Sequence, residues 1–181
     1  METERLEFRK WQKEDAKALY EYASNPSIAD GCGWPVHESQ EESLRVIGEL
    51  LMIEEYGFAL DLKETKSLIG TIDLTLDKRG EDEKRQEKSG EIGCWIGEEH
   101  WGNGYMPEAV RKILAFGFET LGLEVIYYAF FDWNKNSRRV AEKIGFKQDR
   151  FLGNIELQLT KKRTNEYIFK MTKEDWQKNT K

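Results

Sequence analysis

The chain has 181 residues, enough for one well-packed domain and short for two. With 34% charged residues and a formal net charge of −6, it lacks the basic face that general nucleic-acid binding needs, while an acidic surface favours cationic acceptors such as amines. Cys32, Cys94, His37 and His100 show no metal-ligand spacing and no disulfide framework, the longest apolar run (Val125 to Phe131) is too short for a bilayer, and the start Met-Glu-Thr-Glu-Arg has no signal pattern, so the expectation is a cytoplasmic protein without metal or membrane partner.

In chain order, Leu6 to Trp11 reads as a first strand. A helix follows, opened by Glu14 and Asp15, with Ala16, Leu19, Tyr20 and Ala23 as its apolar stripe and Asn25-Pro26 as its stop. Ser27 to Pro35 reads as irregular. Ser39 is a candidate N-cap, with Glu42 completing a capping box and Leu44, Ile47, Leu50 and Leu51 forming the buried face. Tyr56 to Leu62 and Ser67 to Leu76 are the second and third strands, joined by a turn at Lys63 to Lys66. Asp77 to Lys88 is almost wholly charged and reads as a solvated hairpin loop.

Glu91 to Gly97 alternates as a fourth strand. It runs into Gly102 and Gly104, then a helix from Pro107 to Leu121. Val110, Ile113, Leu114, Gly117, Phe118 and Leu121 share one face of that helix, while Glu108, Arg111, Lys112 and Glu119 point away. Gly117 predicts a close approach to a sheet. Val125 to Phe131 is a fifth strand, apolar on both faces. Asn134 to Ile144 is a helix burying Val140, Ala141 and Ile144. Two strands follow, Lys147 to Leu159 and Glu166 to Met171, with a turn at Lys161 to Asn165, and Trp176 anchors a last helical turn. Strand, helix, strand from 91 to 131 is a βαβ unit, so the fourth and fifth strands should be parallel neighbours. The other strands read as hairpins, giving an α+β fold over residues 1–181: a mixed, mostly antiparallel sheet in one domain.

A strand, a glycine turn and a helix start are the parts of an anion site, because the backbone approaches closely and free N–H groups face the ligand. The alternative is an ordinary strand-to-helix turn. Trp101-Gly102-Asn103-Gly104-Tyr105-Met106 resembles the acyl-CoA signature of the GCN5-related N-acetyltransferase superfamily, with Gly104 matching and Trp101 and Met106 departing at the ends. The departures resemble the RimJ/RimL branch of ribosomal-protein N-terminal acetyltransferases. Asn134 to Phe146 resembles that branch's second signature.

The resemblance implies a single domain with splayed parallel strands four and five, helices on both faces, and acetyl-CoA as cosubstrate. Cofactor contacts would come from Trp95, Ile96, Trp101, Gly102, Asn103, Gly104, Tyr105, Met106, Asn134 and Ser137. The catalytic candidates are Glu91 as base and Ser137 as the hydroxyl at the leaving thiolate, since Ala141 stands where many members carry a tyrosine. Asn134 and Ser137 also suit helix capping, and Glu91 also suits a solvated strand end. Trp34, Trp95 and Trp133 read as core or as acceptor cleft. The implied reaction is direct attack by a primary amine, either a peptide N-terminus or a small molecule. The alternative is an acyl-CoA-binding sensor or interaction module without turnover. Exposed strand edges are compatible with a homodimer.

Overall fold

Alternating side chains decide how this chain layers. The computed structural model describes residues 1–76 and 88–179; the charged segment read as a hairpin loop lies, but for Lys88, outside the described residues. The strands are β1 (Leu6–Arg9), β2 (Gly57–Leu62), β3 (Ser67–Leu76), β4 (Ser89–Ile96), β5 (Val125–Phe131), β6 (Lys147–Glu156) and β7 (Arg163–Thr172). They form one sheet in the order β1-β2-β3-β4-β5-β7-β6, in which β4 and β5 alone pair in parallel. The helices are α1 (Ala16–Ala23), α2 (Pro26–Cys32), α3 (Gln40–Val46), α4 (Tyr105–Ala115), α5 (Lys135–Ile144) and α6 (Lys173–Asn179). Both α3 and α4 run on into a wider π turn, at Ile47–Leu51 and Phe116–Thr120.

One side-chain parity of the strands, including Leu60, Ile72, Leu74, Ile92 and Ile126, packs against Val110, Ile113, Leu114 and Phe118 of the long α4 segment, with α5 beside it. The other face, including Ala59, Trp95 and, past a bulge at Ile69, Leu68, meets Leu19 and Ala23 of α1, Ile28 of α2 and Ile47. Helices therefore cover both faces, as the α+β reading expects. A Cβ added at Gly117 would lie 2.6 Å from Ile126 Cδ1, so glycine is what lets this helix close on β5.

Several local expectations change. Ser27 to Pro35 is not irregular throughout. Asn25 caps α2 by accepting the Ser27 N–H at 2.9 Å, Pro26 is its first residue, and Gly33 closes it at φ +78°. The Asn-Pro pair that ends one helix thus begins the next. In the third helix the buried positions are Ser43 and Ile47, while Leu44 and Leu50 are 41% and 60% exposed. The π turn from Ile47 shifts later residues off the 3.6-residue period on which the expected face was drawn. Ser39 caps this helix through the Glu42 N–H, but Glu42 accepts from the Glu38 N–H rather than closing the box on Ser39. α4 begins at Tyr105, so Pro107 is its third residue. Its Glu108 does not point away but is held by Arg5. The β6–β7 connection falls at 157–162, earlier than the expected turn.

The feature that makes a site is where β4 and β5 separate. They pair only from Ser89 with Val125 to Ile92 with Tyr128. Beyond that point β4 stays on β3 as far as Ile96 with Gly70, and β5 stays on β7 as far as Phe131 with Glu166. The second half of each strand therefore faces a gap with backbone groups unused on its inner edge.

Candidate active site

The gap opens into a cleft of about 530 Å³, within the range of small-molecule sites. The end of β4, the turn into α4, the start of α5 and the end of α2 wall it. Of the residues expected to serve it, Glu91, Trp95, Ile96, Trp101, Gly102, Gly104, Tyr105, Met106, Asn134 and Ser137 line the cleft. Asn103 does not. Its side-chain amide folds back to donate to the carbonyls of His100 and Trp101, at 3.2 and 3.3 Å, and so holds its own turn.

At one end sits the glycine turn. Gly102 and Gly104 have φ of +78° and +80°, a region that costs other residues roughly 1–2 kcal/mol. A Cβ at Gly102 would meet nothing within 4 Å, and one at Gly104 would meet only Arg5 Nη2, at 3.6 Å. These glycines therefore answer to backbone conformation, and both lie on the lining of the cleft. The first N–H groups of α4 have no intrahelical acceptor and carry the positive end of the helix dipole, so the turn favours an anion. Trp101 closes its outer side, its indole N–H donating to the Ile96 carbonyl at 2.9 Å.

Arg5, ahead of β1, braces this turn. Its Nε donates to Glu108 Oε2 at 2.7 Å, its backbone N–H to Glu108 Oε1 at 3.0 Å, and Nη1 to the Asn103 carbonyl at 3.0 Å. Its guanidinium also lies 4.5 Å from the centre of the Tyr105 ring. Burial pushes the Glu108 carboxyl up, but hydrogen bonds from Thr3 and Arg5 outweigh it and hold the group below the usual carboxylate range. The sequence reading missed Arg5, which stands 103 positions from Glu108, and no local pattern announces the pair.

At the other end, Asn134 caps α5 by accepting the Ser137 N–H at 3.1 Å, and its amide donates to the Gly31 carbonyl at 3.5 Å, tying α2 to α5 across the cleft. Ser137 therefore does not cap the helix. Its Oγ lies 2.9 Å from the hydroxyl of Tyr128, which is 3.4 Å from Cys94 Sγ on β4. Ala141, fully buried, offers no hydroxyl. Burial pushes the Cys94 thiol up to about 12 and raises the Cys32 thiol as well, which favours the neutral thiol in both.

On the α1–α3 side of the sheet, Glu91 stands opposite Thr75 and Gly93 opposite Asp73. A Cβ at Gly93 would lie 2.6 Å from an Asp73 carboxylate oxygen, so glycine there keeps Asp73 in the cleft, where Thr75 Oγ1 donates to it at 3.2 Å. Asp73 was also missed, because alternation placed it on the third strand without saying that its face was the open one. Trp34 and Trp95 line this side edge to face, 6.3 Å apart, with Cys32 beside them. Trp133 does not. It is half exposed and packs on Phe131. His37 is buried against Ser43, its Nδ1 2.7 Å from the hydroxyl, and does not line the cleft.

Among the described residues, no group of three or more His, Cys, Asp or Glu could hold a metal ion, and no helix is long and apolar enough to cross a membrane. The family model described as acetyltransferase (GNAT) domain matches residues 5–147. The uncharacterized N-acetyltransferase YoaA of Bacillus subtilis (strain 168) is 31% identical over 153 residues, 82% of this chain and 83% of that protein. The crystal structure of a GNAT-family acetyltransferase from Bacillus anthracis superposes with a TM-score of 0.81 at 24% identity, covering 96% of this chain and 98% of that one. That of spermidine N-acetyltransferase from Vibrio cholerae, in complex with CoA and spermine, gives 0.76 at 19% identity, covering 97% and 99%.

Proposed function

The chain belongs to the GNAT acetyltransferase family, and from that premise we propose that this N-acetyltransferase is of the RimJ/RimL type, placing acetyl from acetyl-CoA on the α-amine of a protein or peptide N-terminus. The observation that carries the site assignment is the cleft where β4 and β5 part, with the glycine turn at one end and Ser137 and Glu91 on its walls. The whole chain, 1–181, is proposed as one such domain, with β6, β7 and α6 completing the sheet and its cover beyond the family match. A cytoplasmic location and a homodimer through a sheet edge belong to the same reading and rest on sequence grounds.

The residues fit the cosubstrate. Two left-handed glycines with open faces, next to free helix N–H groups, suit a diphosphate. The N–H groups from Gly102 to Met106 would hold it, Pro107 having none to give. The inner edge of β4 near Trp95 and Ile96, where the Ile96 carbonyl already accepts from Trp101, would receive the amide-bearing arm as an added strand. Trp101, Tyr105 and Asn134 would flank that arm, and Asn103 would serve through its backbone carbonyl on Arg5, which keeps the turn in shape. Bound there, acetyl-CoA supplies an activated thioester carbon.

The protein's residues then align the amine with that carbon, take its proton and steady the departing sulfur. Glu91 would accept the proton, directly or through water. An α-amine, with a pKa of about 7.7–8.0 against about 10.4 for lysine, needs little help at neutral pH, which suits a carboxylate as the base. Ser137, freed from capping by Asn134, would direct its hydroxyl at the sulfur. Asp73 and Glu91 facing one cleft favour a second reading, a small polycationic amine as acceptor, in line with the spermine held by the Vibrio cholerae structure.

Thiol release from acetyl-CoA, run against N-terminal peptides and against polyamines, tests the proposal. Release with a peptide, and mass-spectrometric placement of acetyl on its α-amine, is the expected result. Release with polyamines alone would replace the acceptor, and no release with any amine would overturn the activity. Ser137→Ala should cut kcat by about a hundredfold, the lower end of general-acid effects, while CoA affinity stays within twofold.

A further inference from the structure

Helix α5 distributes its residues over three sides. Ala141 and Ile144 turn into the core and are buried. Arg138 turns toward β7: its Nε donates to Glu142 Oε1 at 2.8 Å, and its guanidinium lies 5.4 Å from the centre of the Tyr167 ring. Asn136, Arg139, Val140 and Lys143 make up the third side, three or four residues apart as one helical stripe requires. All four line the cleft, together with Gly102, Gly104 and Pro107 of the glycine turn.

Arg139 and Lys143 are both exposed, and among the described residues neither side chain has an ion-pair partner. Among the described residues that line the cleft they are also the only lysine and arginine, while the carboxylates there, Asp73, Glu91 and Glu166, all come from strands. Two like charges one turn apart, about 6 Å along the helix axis, weaken a helix instead of supporting it. An anion held between them turns that repulsion into attraction. In a chain of net charge −6, such a stripe is where an anionic ligand is drawn in.

CoA carries two anionic groups, the diphosphate and a phosphate monoester on the 3′ oxygen of its ribose. The glycine turn suits the first through backbone N–H groups and offers nothing further to the second. A phosphate monoester bears about −1.5 to −2 charge at neutral pH and has three strong acceptor oxygens. An arginine fork can donate to two of them, and a lysine adds a point charge. We propose that Arg139 and Lys143 are the seat of the 3′-phosphate, so that the cleft tells CoA from its dephospho form. This rests on the acetyl-CoA reading of the preceding proposal. The nucleotide end of the cosubstrate is then held by two helices, through backbone at the start of α4 and through side chains on α5.

Calorimetric titration of the full chain with CoA and with dephospho-CoA, at low and at raised salt, tests the seat. The wild type should bind CoA at least about tenfold more tightly than dephospho-CoA, as charge-assisted hydrogen bonds imply, and raised salt should narrow that ratio. Arg139→Gln/Lys143→Gln removes both charges at exposed positions. In that variant CoA should fall to the level of dephospho-CoA, whose own affinity stays within twofold. Adenosine 3′,5′-bisphosphate, which has the monoester without the pantetheine arm, should weaken by the same factor as CoA. Equal affinities of the wild type for CoA and dephospho-CoA would remove the seat, and so would unchanged CoA binding in the variant. A parallel loss for both ligands would make the two cations a general field and overturn the inference as well. Should the variant not fold, the wild-type ratio and its salt dependence decide the matter alone. Binding of neither form by the wild type would instead refute the acetyl-CoA reading, and the seat with it.

Discussion

Substituting alanine separately at Gly102, Gly104 and Gly122 divides what a left-handed glycine does for the backbone from what it does for a ligand. The three have φ of +78°, +80° and +69°. An alanine Cβ would meet nothing within 4 Å at Gly102 or Gly122 and only the end of Arg5, at 3.6 Å, at Gly104. No steric clash distinguishes them, so each should lose the same backbone term, roughly 1–2 kcal/mol for an L-residue in this region. Alanine's stiffer unfolded chain returns about 0.4–1 kcal/mol of that. A net loss near 1 kcal/mol corresponds to a fall in Tm of roughly 2–4 °C for a domain of this size.

Binding should split the set. Gly102 and Gly104 line the cleft and Gly122 does not. An alanine at either of the first two, strained at its positive φ, shifts the backbone N–H groups on which a diphosphate would rest. Losing one charge-assisted hydrogen bond costs about 1.5–3 kcal/mol, roughly ten- to a hundredfold in Kd. Calorimetric titration with CoA, alongside thermal unfolding of the free proteins, reads both quantities. The expectation is three similar Tm shifts with weakened CoA binding in Gly102→Ala and Gly104→Ala only. Affinities matching that of Gly122→Ala would refute the placement of the diphosphate on this turn.

Two further expectations follow from groups outside the reacting centre. Arg5→Ala should cost about 1 kcal/mol of stability, because Arg5 is 41% exposed and solvent screens its pair with Glu108. KM for acetyl-CoA should rise severalfold while turnover of acetyl-pantetheine, which has no diphosphate, stays constant; an equal rise for both donors would mean that Arg5 supports the fold and not the turn. His37 is held below its ordinary pKa by burial, with Arg45 adding to that and Glu42 opposing it. As pH falls below about 6.5, the unfolded chain binds a proton that the folded chain refuses, so stability declines until the folded pKa is passed. Chemical denaturation across that range should show this slope in the wild type and a flatter one in His37→Gln, and equal slopes would exclude His37 as the source.

Regular elements were legible where one periodicity ran unbroken. β3 and β5 fall at the expected residues because β3 alternates from Ile72 to Leu76 and is apolar through its bulge at Ile69, and a continuous apolar run spans β5; the βαβ order gave the parallel pair. Breaks in the period hid the rest. α2 is seven residues with a glycine and an aspartate inside it, too short for an apolar stripe, and its only signal, Asn25-Pro26, has a stop reading as well as a start reading. The face of α3 was misdrawn in two places: ahead of the π turn Ser43, not Leu44, takes the buried position, and from Ile47 the π turn changes the period with no residue type to mark it.

The site divides along the same line, local against non-local. Gly102, Gly104 and Asn134 act on backbone within three residues of themselves, and a short motif can carry such roles. Tyr128 lies inside a run, Val125 to Phe131, whose two parities are both apolar in type, so nothing in the run says which tyrosine faces the sheet gap. Register decides it: pairing with Ile92 puts Tyr128 on the face of α4 and α5, and Tyr127, opposite Glu91, on the other. The hydroxyl then accepts from Ser137, whose backbone N–H is held by the Asn134 cap. A serine at the start of α5 is thus ambiguous in sequence, and the residue that resolves it is a neighbouring asparagine. Exchanging Asn134 for alanine would leave the Ser137 N–H uncapped and remove the amide from the Gly31 carbonyl, so the helix start and the cleft beside it should weaken together, read as a lower Tm and a lower kcat.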